Sequence, residues 1–187
     1  ESQRGERDWR ANTTVLTFGG QGSVVTALFY GVVLDGFSVR DGRAESGAGV
    51  FVRYGIAAIR NNTISRCVAS SYGGGIYVSG PVTITGNVIN SNRASRGGGI
   101  ESYSSVAPFF ANNTICGNSA GEGGGLYSGQ SKVMAVNNTI CGNSAAGDGG
   151  GVYTGTTGAV ANCIVAYNSS GIYFTDSRSV IVRRNDV

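Results

Sequence analysis

The chain has no histidine, two prolines, one methionine, one tryptophan and one lysine (Lys132) in 187 residues. Without histidine there is no Ser-His-Asp or Cys-His nucleophile arrangement, no imidazole zinc ligand and no usual general base. The four cysteines include no Cys-x-x-Cys pair, so the ordinary zinc spacing is missing too. No run of roughly 18 apolar residues occurs, and no segment reads as a membrane span. Charge is sparse, at 13% of residues, with a formal net charge of +3. The arginines are scattered, with small groups at Arg4, Arg7, Arg10 and at Arg183, Arg184. No basic stripe with interleaved aromatics appears, so nucleic acid is not an expected partner. The 32 glycines follow no collagen period. Nor does any stretch of roughly ten residues carry the three-four apolar spacing of a helix. The glycine triplets precede strand-like runs rather than opening helices, which sets aside a phosphate-binding loop.

What the chain has in abundance is repetition. Asn137 to Thr154 reads NNTICGNSAAGDGGGVYT, and Asn112 to Ser128 reads NNTICGNSAGEGGGLYS. Looser copies run from Asn61 to Ser79 and from Thr85 to Ser102, and a shortened one from Asn162 to Phe174. One apolar row follows the glycines: Val50, Ile76, Ile100, Leu126, Val152, Ile172. A second follows the asparagines: Val39, Ile64, Ile89, Ile115, Ile140, Ile164, Val187. A third lies five residues before the second: Leu34, Ile59, Ile84, Phe110, Ala135, Ala159, Val182. Three apolar rows at a common period place three short segments of each repeat around one interior. Short alternating segments fit strands, and a propeller blade needs roughly 40 residues or more. The expected fold is therefore all-β: a right-handed parallel β-helix of about 25 residues and three short strands per coil, six to seven coils in all, stacked at ~4.8 Å. Residues 1–12 form a polar lead-in, with Trp9 either plugging the solenoid end or lying loose. Residues 13–187 form a single β-helix domain, expected to continue beyond one or both ends in a longer protein.

Two asparagine rows support this. Asn62, Asn87, Asn113, Asn138 and Asn162 precede the second apolar row by two residues, while Cys67, Asn92, Asn118 and Asn143 follow it by three. Stacked asparagines hydrogen-bond from coil to coil, and asparagine tolerates the left-handed backbone of a sharp bend. The glycine triplets supply another corner, one where no Cβ fits. Cys116 and Cys141 hold the same position on adjacent coils, about one coil spacing apart and within disulfide range. The spacing predicts a bridge there, with a stacked pair of free thiols as the alternative.

The NNTI, GNSA and GGG[ILV]Y repeat resembles the bacterial secreted right-handed parallel β-helix repeat proteins, with repeats like those of polymorphic outer-membrane proteins. The resemblance covers residues 30 to 174. It implies an extracellular, cell-surface or periplasmic location, in a family that includes adhesins, surface proteins and polysaccharide-active enzymes. The calcium-binding Asp clusters and the Arg or Lys base of polysaccharide lyases have no residue-by-residue counterparts here.

Two outer rows are candidate sites. Phe51, Tyr77, Glu101, Tyr127, Tyr153 and Tyr173 each follow an inward residue, so strand alternation points them outward. Glu101 is expected at the surface, since an unpaired carboxylate is not buried. Such an aromatic row either stabilises neighbouring coils by stacking or offers flat faces to sugar rings or another protein. The second row is Ser46, Tyr72, Arg96, Glu122, Asp148. Glu122 and Asp148 fall about 5 Å apart by coil spacing, a separation that suits a retaining glycosidase or a calcium site. Arg96 beside Glu122 reads as a surface ion pair. Sequons at Asn12, Asn61, Asn112, Asn137 and Asn168 arise largely from the repeat itself.

The function expected is non-enzymatic: a structural, adhesive or assembly module that binds glycans or other protein subunits, including copies of itself through open solenoid ends. The alternative is a carbohydrate-active enzyme or its substrate-binding portion, with Glu101, Glu122 and Asp148 as acids. No cofactor is expected, and calcium is the one ion the acid row would suit.

Overall fold

Ile59, Ile64 and Ile76 are close in sequence, yet each is buried on a different wall of one interior. Three short strands joined by sharp corners achieve this. The computed structural model describes residues 13–28, 31–54, 57–104, 106–155 and 158–175, and the backbone of 180–183. Most of its strands form three seven-stranded parallel walls wound as a solenoid of about six turns, and Arg43–Ser46 with Val68–Tyr72 and Ser119–Ala120 with Ser144–Ala145 form two short parallel pairs. The first wall holds Thr14–Thr17, Phe37–Arg40, Thr63–Ser65, Val88–Asn90, Thr114–Cys116, Thr139–Cys141 and Ile164–Ala166. The second holds Val25–Ala27, Val50–Arg53, Ile76–Ser79, Ile100–Ser102, Leu126–Ser128, Val152–Thr154 and Ile172–Phe174. The third holds Val32–Asp35, Ala57–Arg60, Val82–Thr85, Phe109–Ala111, Val133–Val136, Gly158–Ala161 and Val180–Arg183. The runs Thr14–Thr17 and Val25–Ala27 join the walls, so the coils begin before residue 30.

The inward residues form one continuous apolar cluster. Each buried isoleucine or valine contributes about 2 kcal/mol by leaving water. Identical positions stack directly, as in Ile76 against Val50 on one side and Ile100 on the other.

The corners divide the work between adjacent residues. Asn61, Asn112, Asn137 and Asn162 take the left-handed backbone, with φ of 53–56°. The residue after each enters the buried ladder. Asn87 shows the full pattern. Its Nδ2 donates to Asn113 Oδ1 (3.0 Å) and to the Ile59 carbonyl (2.9 Å), and its own Oδ1 accepts from the Asn62 amide (2.9 Å) and from Asn62 Nδ2 (3.0 Å). A second ladder, Cys67, Asn92, Asn118, Asn143 and Asn168, bonds in the same way. At the glycine corner Gly97 has φ +61°, and a Cβ on Gly98 would lie 2.5 Å from the Ser119 carbonyl oxygen.

Three sequence expectations shift in the last coil. Val160, not Ala159, pairs with Ala135. Val165, not Ile164, pairs with Ile140 and points inward, leaving Ile164 exposed. Cys163, not Asn162, therefore ends the first ladder, its sulfur accepting from the Asn138 amide at 3.4 Å. The reason is that Asn162 occupies the left-handed corner, as Asn137 does one coil earlier.

Cys116 and Cys141 are joined by a disulfide on the outer face of the first wall, their Cα atoms 4.7 Å apart. Cys67 is a buried thiol pushed up to about 11 by its burial, which leaves it unreactive. The lead-in 1–12, Trp9, the sequon at Asn12 and Val187 lie outside the described residues.

Candidate functional site

The second wall turns one row of side chains outward in strict register: Phe51, Tyr77, Glu101, Tyr127, Tyr153, Tyr173. Parallel strands put equivalent residues about 4.8 Å apart, close to the stacking distance of rings. The rings respond by facing one another. Phe51 and Tyr77 stack at 5.3 Å and 12°, Tyr127 and Tyr153 at 4.6 Å and 17°, and Tyr153 and Tyr173 meet at 5.1 Å and 34°. Each such pair is worth about 1 kcal/mol beyond burial. The row therefore spends most of its faces on itself and shows edges outward, and Tyr127 is buried outright. Of the two readings of this row, stacking between neighbouring coils is the one these ring pairs favour.

Glu101, expected at the surface, is instead 1% exposed. The premise that an unpaired carboxylate is not buried holds, because Glu101 has a partner. Arg96, five residues earlier across the glycine corner, turns back over the wall and donates from Nη2 to Glu101 Oε1 at 3.2 Å. The guanidinium lies 4.4 Å from the centre of the Tyr72 ring and 4.9 Å from that of Tyr127. A planar cation thus bridges the Tyr72 and Tyr127 rings at the coil where Glu101 interrupts the aromatics. Burial pushes Glu101 up to about 7, with Arg96 and the Gly73 backbone pulling the other way. Among the described residues Glu101 Oε2 has no hydrogen-bond partner.

Arg96 and Glu122 are backbone neighbours on adjacent coils, but the ion pair that Arg96 makes is with Glu101, not Glu122. Glu122 is half-buried, Asp148 is exposed, and the Gly123 amide donates to the Asp148 carbonyl, so the two acids do sit on neighbouring turns. Neither lines the groove described next. Among the described residues no three His, Cys, Asp or Glu side chains converge as metal ligands would.

Over the first coils the outer face of the second wall is the floor of an open groove of about 1250 Å³. Phe51 and Tyr77 form the floor, Tyr72, Glu45 and Ser46 one bank, and Tyr54, Pro81, Tyr103 and Val106 the other. Tyr54 and Tyr103 are 64% and 48% exposed. Arg53 lies over the Tyr54 ring at 4.6 Å. Among the described residues of the lining Glu45 and Arg53 are the charged ones, and their charges balance.

Sequence reasoning found the floor and missed the far bank. A signal for it exists. The third apolar row follows the first by eight residues from Ile76 to Ile84, but by ten from Ile100 to Phe110. The two extra residues lengthen the loop that carries Tyr103 and Val106.

The chain matches the family described as right handed beta helix region over residues 31–187, and it belongs to that family. Comparison with curated proteins and comparison with solved structures each returned no match.

Proposed function

We propose that this β-helix is a non-enzymatic binding module whose groove on the second wall holds a carbohydrate chain. The observation that carries the reading is the groove itself: five aromatic side chains, Phe51, Tyr54, Tyr72, Tyr77 and Tyr103, among serines, two glutamines and one charged side chain of each sign. Aromatic surfaces with interspersed hydroxyls and amides match the alternating apolar faces and hydroxyl rims of sugars. The exposed banks, Tyr54 and Tyr103, are better placed to meet a ligand than the self-stacked floor.

The enzyme reading is weaker because glycoside cleavage uses two carboxyl groups facing one bond, and the groove lining brings one, Glu45. An extracellular, cell-surface or periplasmic setting is supported by the half-buried Cys116–Cys141 disulfide, since such bonds persist in oxidising compartments.

Affinity electrophoresis through gels containing a panel of soluble polysaccharides tests the proposal. At least one polysaccharide should retard the protein, and Tyr54→Ala with Tyr103→Ala should restore its mobility. Retardation by none of them would sink the groove reading. Release of reducing ends from a retained polysaccharide would sink the non-enzymatic part.

A further inference from the structure

Glu101 is the one acid in an aromatic row, and its surroundings differ from those of every other charged side chain described. The remaining ion pairs, Arg40–Asp41, Arg60–Asp35 and Arg66–Asp41, are exposed on both sides. In the Arg96–Glu101 pair the carboxylate is sealed while the guanidinium side chain is 35% exposed. The acid is held from above by a cation that itself reaches solvent. That cation packs on Tyr72, and Tyr72 lines the groove.

The groups facing this pair come from every neighbouring strand. Tyr77 and Tyr127 flank Glu101 in register on the second wall. Tyr72 and the Gly73 backbone approach from the glycine corner, and Glu122 sits beside Arg96 on the next coil. Burial, the largest cause in each case, raises Tyr77 and Tyr127 above the ordinary tyrosine range, so both stay neutral wherever Glu101 titrates. Protonating Glu101 removes the one charge that Arg96 is paired with. It also removes the anchor that holds the guanidinium between two rings.

We propose that Glu101 and Arg96 form a proton-operated latch on the groove wall. With Glu101 ionised, the guanidinium is clamped between Tyr72 and Tyr127. With Glu101 protonated, it is released, the Tyr72 bank loosens, and the groove gains one uncompensated positive charge. The groove's own Glu45 and Arg53 balance, so this single charge tips its preference from neutral glycans towards anionic ones. Linkage runs in both directions: an anionic ligand that feels Arg96 draws a proton onto Glu101 as it binds. The upward push on Glu101, to about 7, puts the changeover near neutrality. The choice of ligand rests on the groove reading above, whereas the latch does not.

The latch is tested without a ligand by NMR of the whole chain from pH 5 to 8.5. The probes are the Glu side-chain carboxyl carbons, the Arg Nε signals and the tyrosine rings. The carboxyl of Glu101, Nε of Arg96 and the rings of Tyr72 and Tyr127 should move together with one midpoint, and Glu101→Gln should flatten them all. A Glu101 that titrates while Arg96 and the rings stay still, or that remains ionised throughout, overturns the latch. The wild-type titration decides alone if the variant does not fold. Calorimetry with tetragalacturonate and with cellotetraose at pH 5.5 and 8 tests the ligand half. The anionic sugar should bind about fivefold or more tightly at the lower pH, and Glu101→Gln should abolish that ratio, while cellotetraose shows none. An equal pH effect on both sugars, or one that survives in Glu101→Gln, overturns the charge selectivity. Binding of neither sugar at either pH removes the glycan reading and the selectivity with it, and the ring signals then judge the latch by themselves.

Discussion

The asparagine ladders and the aromatic row are built by one rule, a residue type repeated at one position of successive coils, and they end in opposite conditions. In the ladder the inner members are all asparagine, a cysteine stands at one end, and the bonds within it are closed: Asn87 is matched above by Asn62 and below by Asn113, and its remaining donor reaches a main-chain carbonyl. Nothing in it is left to offer a ligand. The aromatic row is broken once, at Glu101, and the break leaves a carboxylate oxygen with no hydrogen bond among the described residues, a semi-exposed cation and rings at a groove edge. Repetition makes scaffold, and a departure from the repeat leaves chemistry unspent.

Breaking the closed ladder has the largest expected effect. Asn113→Leu removes the acceptor of the Asn87 amide and of Asn87 Nδ2, and the donor to the Ile84 carbonyl. Stranding several buried polar groups costs about 4 kcal/mol, read as a lower urea midpoint at unchanged slope. An unaltered midpoint would mean that the ladder adapts as freely as the aromatic row.

The disulfide comes next, a covalent tie on the same stack. Cys116→Ser with Cys141→Ser reopens a 25-residue loop and should lower stability by about 3 kcal/mol at most. Reducing agent should lower Tm of the wild type and leave the double variant untouched.

Glu101 gives a pH signature of similar size. Its folded-state value is raised from 4.5 to about 7 by burial. Between those two pH values the folded chain holds a proton that the unfolded chain has lost. Stability is thus fully present below pH 4.5 and declines as pH rises through 7, by about 3 kcal/mol. Urea unfolding at pH 5, 6.5 and 8 measures the slope, and Glu101→Gln should remove it. A slope that persists in the variant would assign it to other groups.

The smallest stability effect belongs to the groove bank. Tyr54→Ala, at an exposed site, should change stability by about 0.5 kcal/mol or less and weaken glycan retention about tenfold. The reverse outcome, lost stability with retained binding, would place Tyr54 with the scaffold.

Much of the architecture was legible because stacking repeats each local decision. The three apolar rows, the glycine corner and the pairing of Cys116 with Cys141 all follow from one residue type recurring at one step. The slip at Val160 and Val165 was also open to reading. NCIV from Asn162 aligns with NNTI from Asn137, which puts Asn162 at the corner and Cys163 in the ladder. Adjacent apolar residues, Ala159 with Val160 and Ile164 with Val165, hid it by fitting either register.

The candidate site was legible in half. Its floor, Phe51 and Tyr77, lies in the repeat. Its far bank, Tyr54 and Tyr103, lies in loops whose lengths vary. The Arg96–Glu101 pair crosses the glycine corner at a spacing of five, which suits neither strand alternation nor coil stacking.

The period and residue types of this chain dictated the walls, corners and ladders, because inward side chains on a parallel stack have one place to go and meet their equivalents on the coils to either side. The outer face obeyed no such rule. Whether a ring stacks or stays open, and whether a carboxylate is sealed or solvated, depended on which loop or corner folded over it. The tertiary structure alone set Arg96 above Glu101 and raised a groove over the first coils.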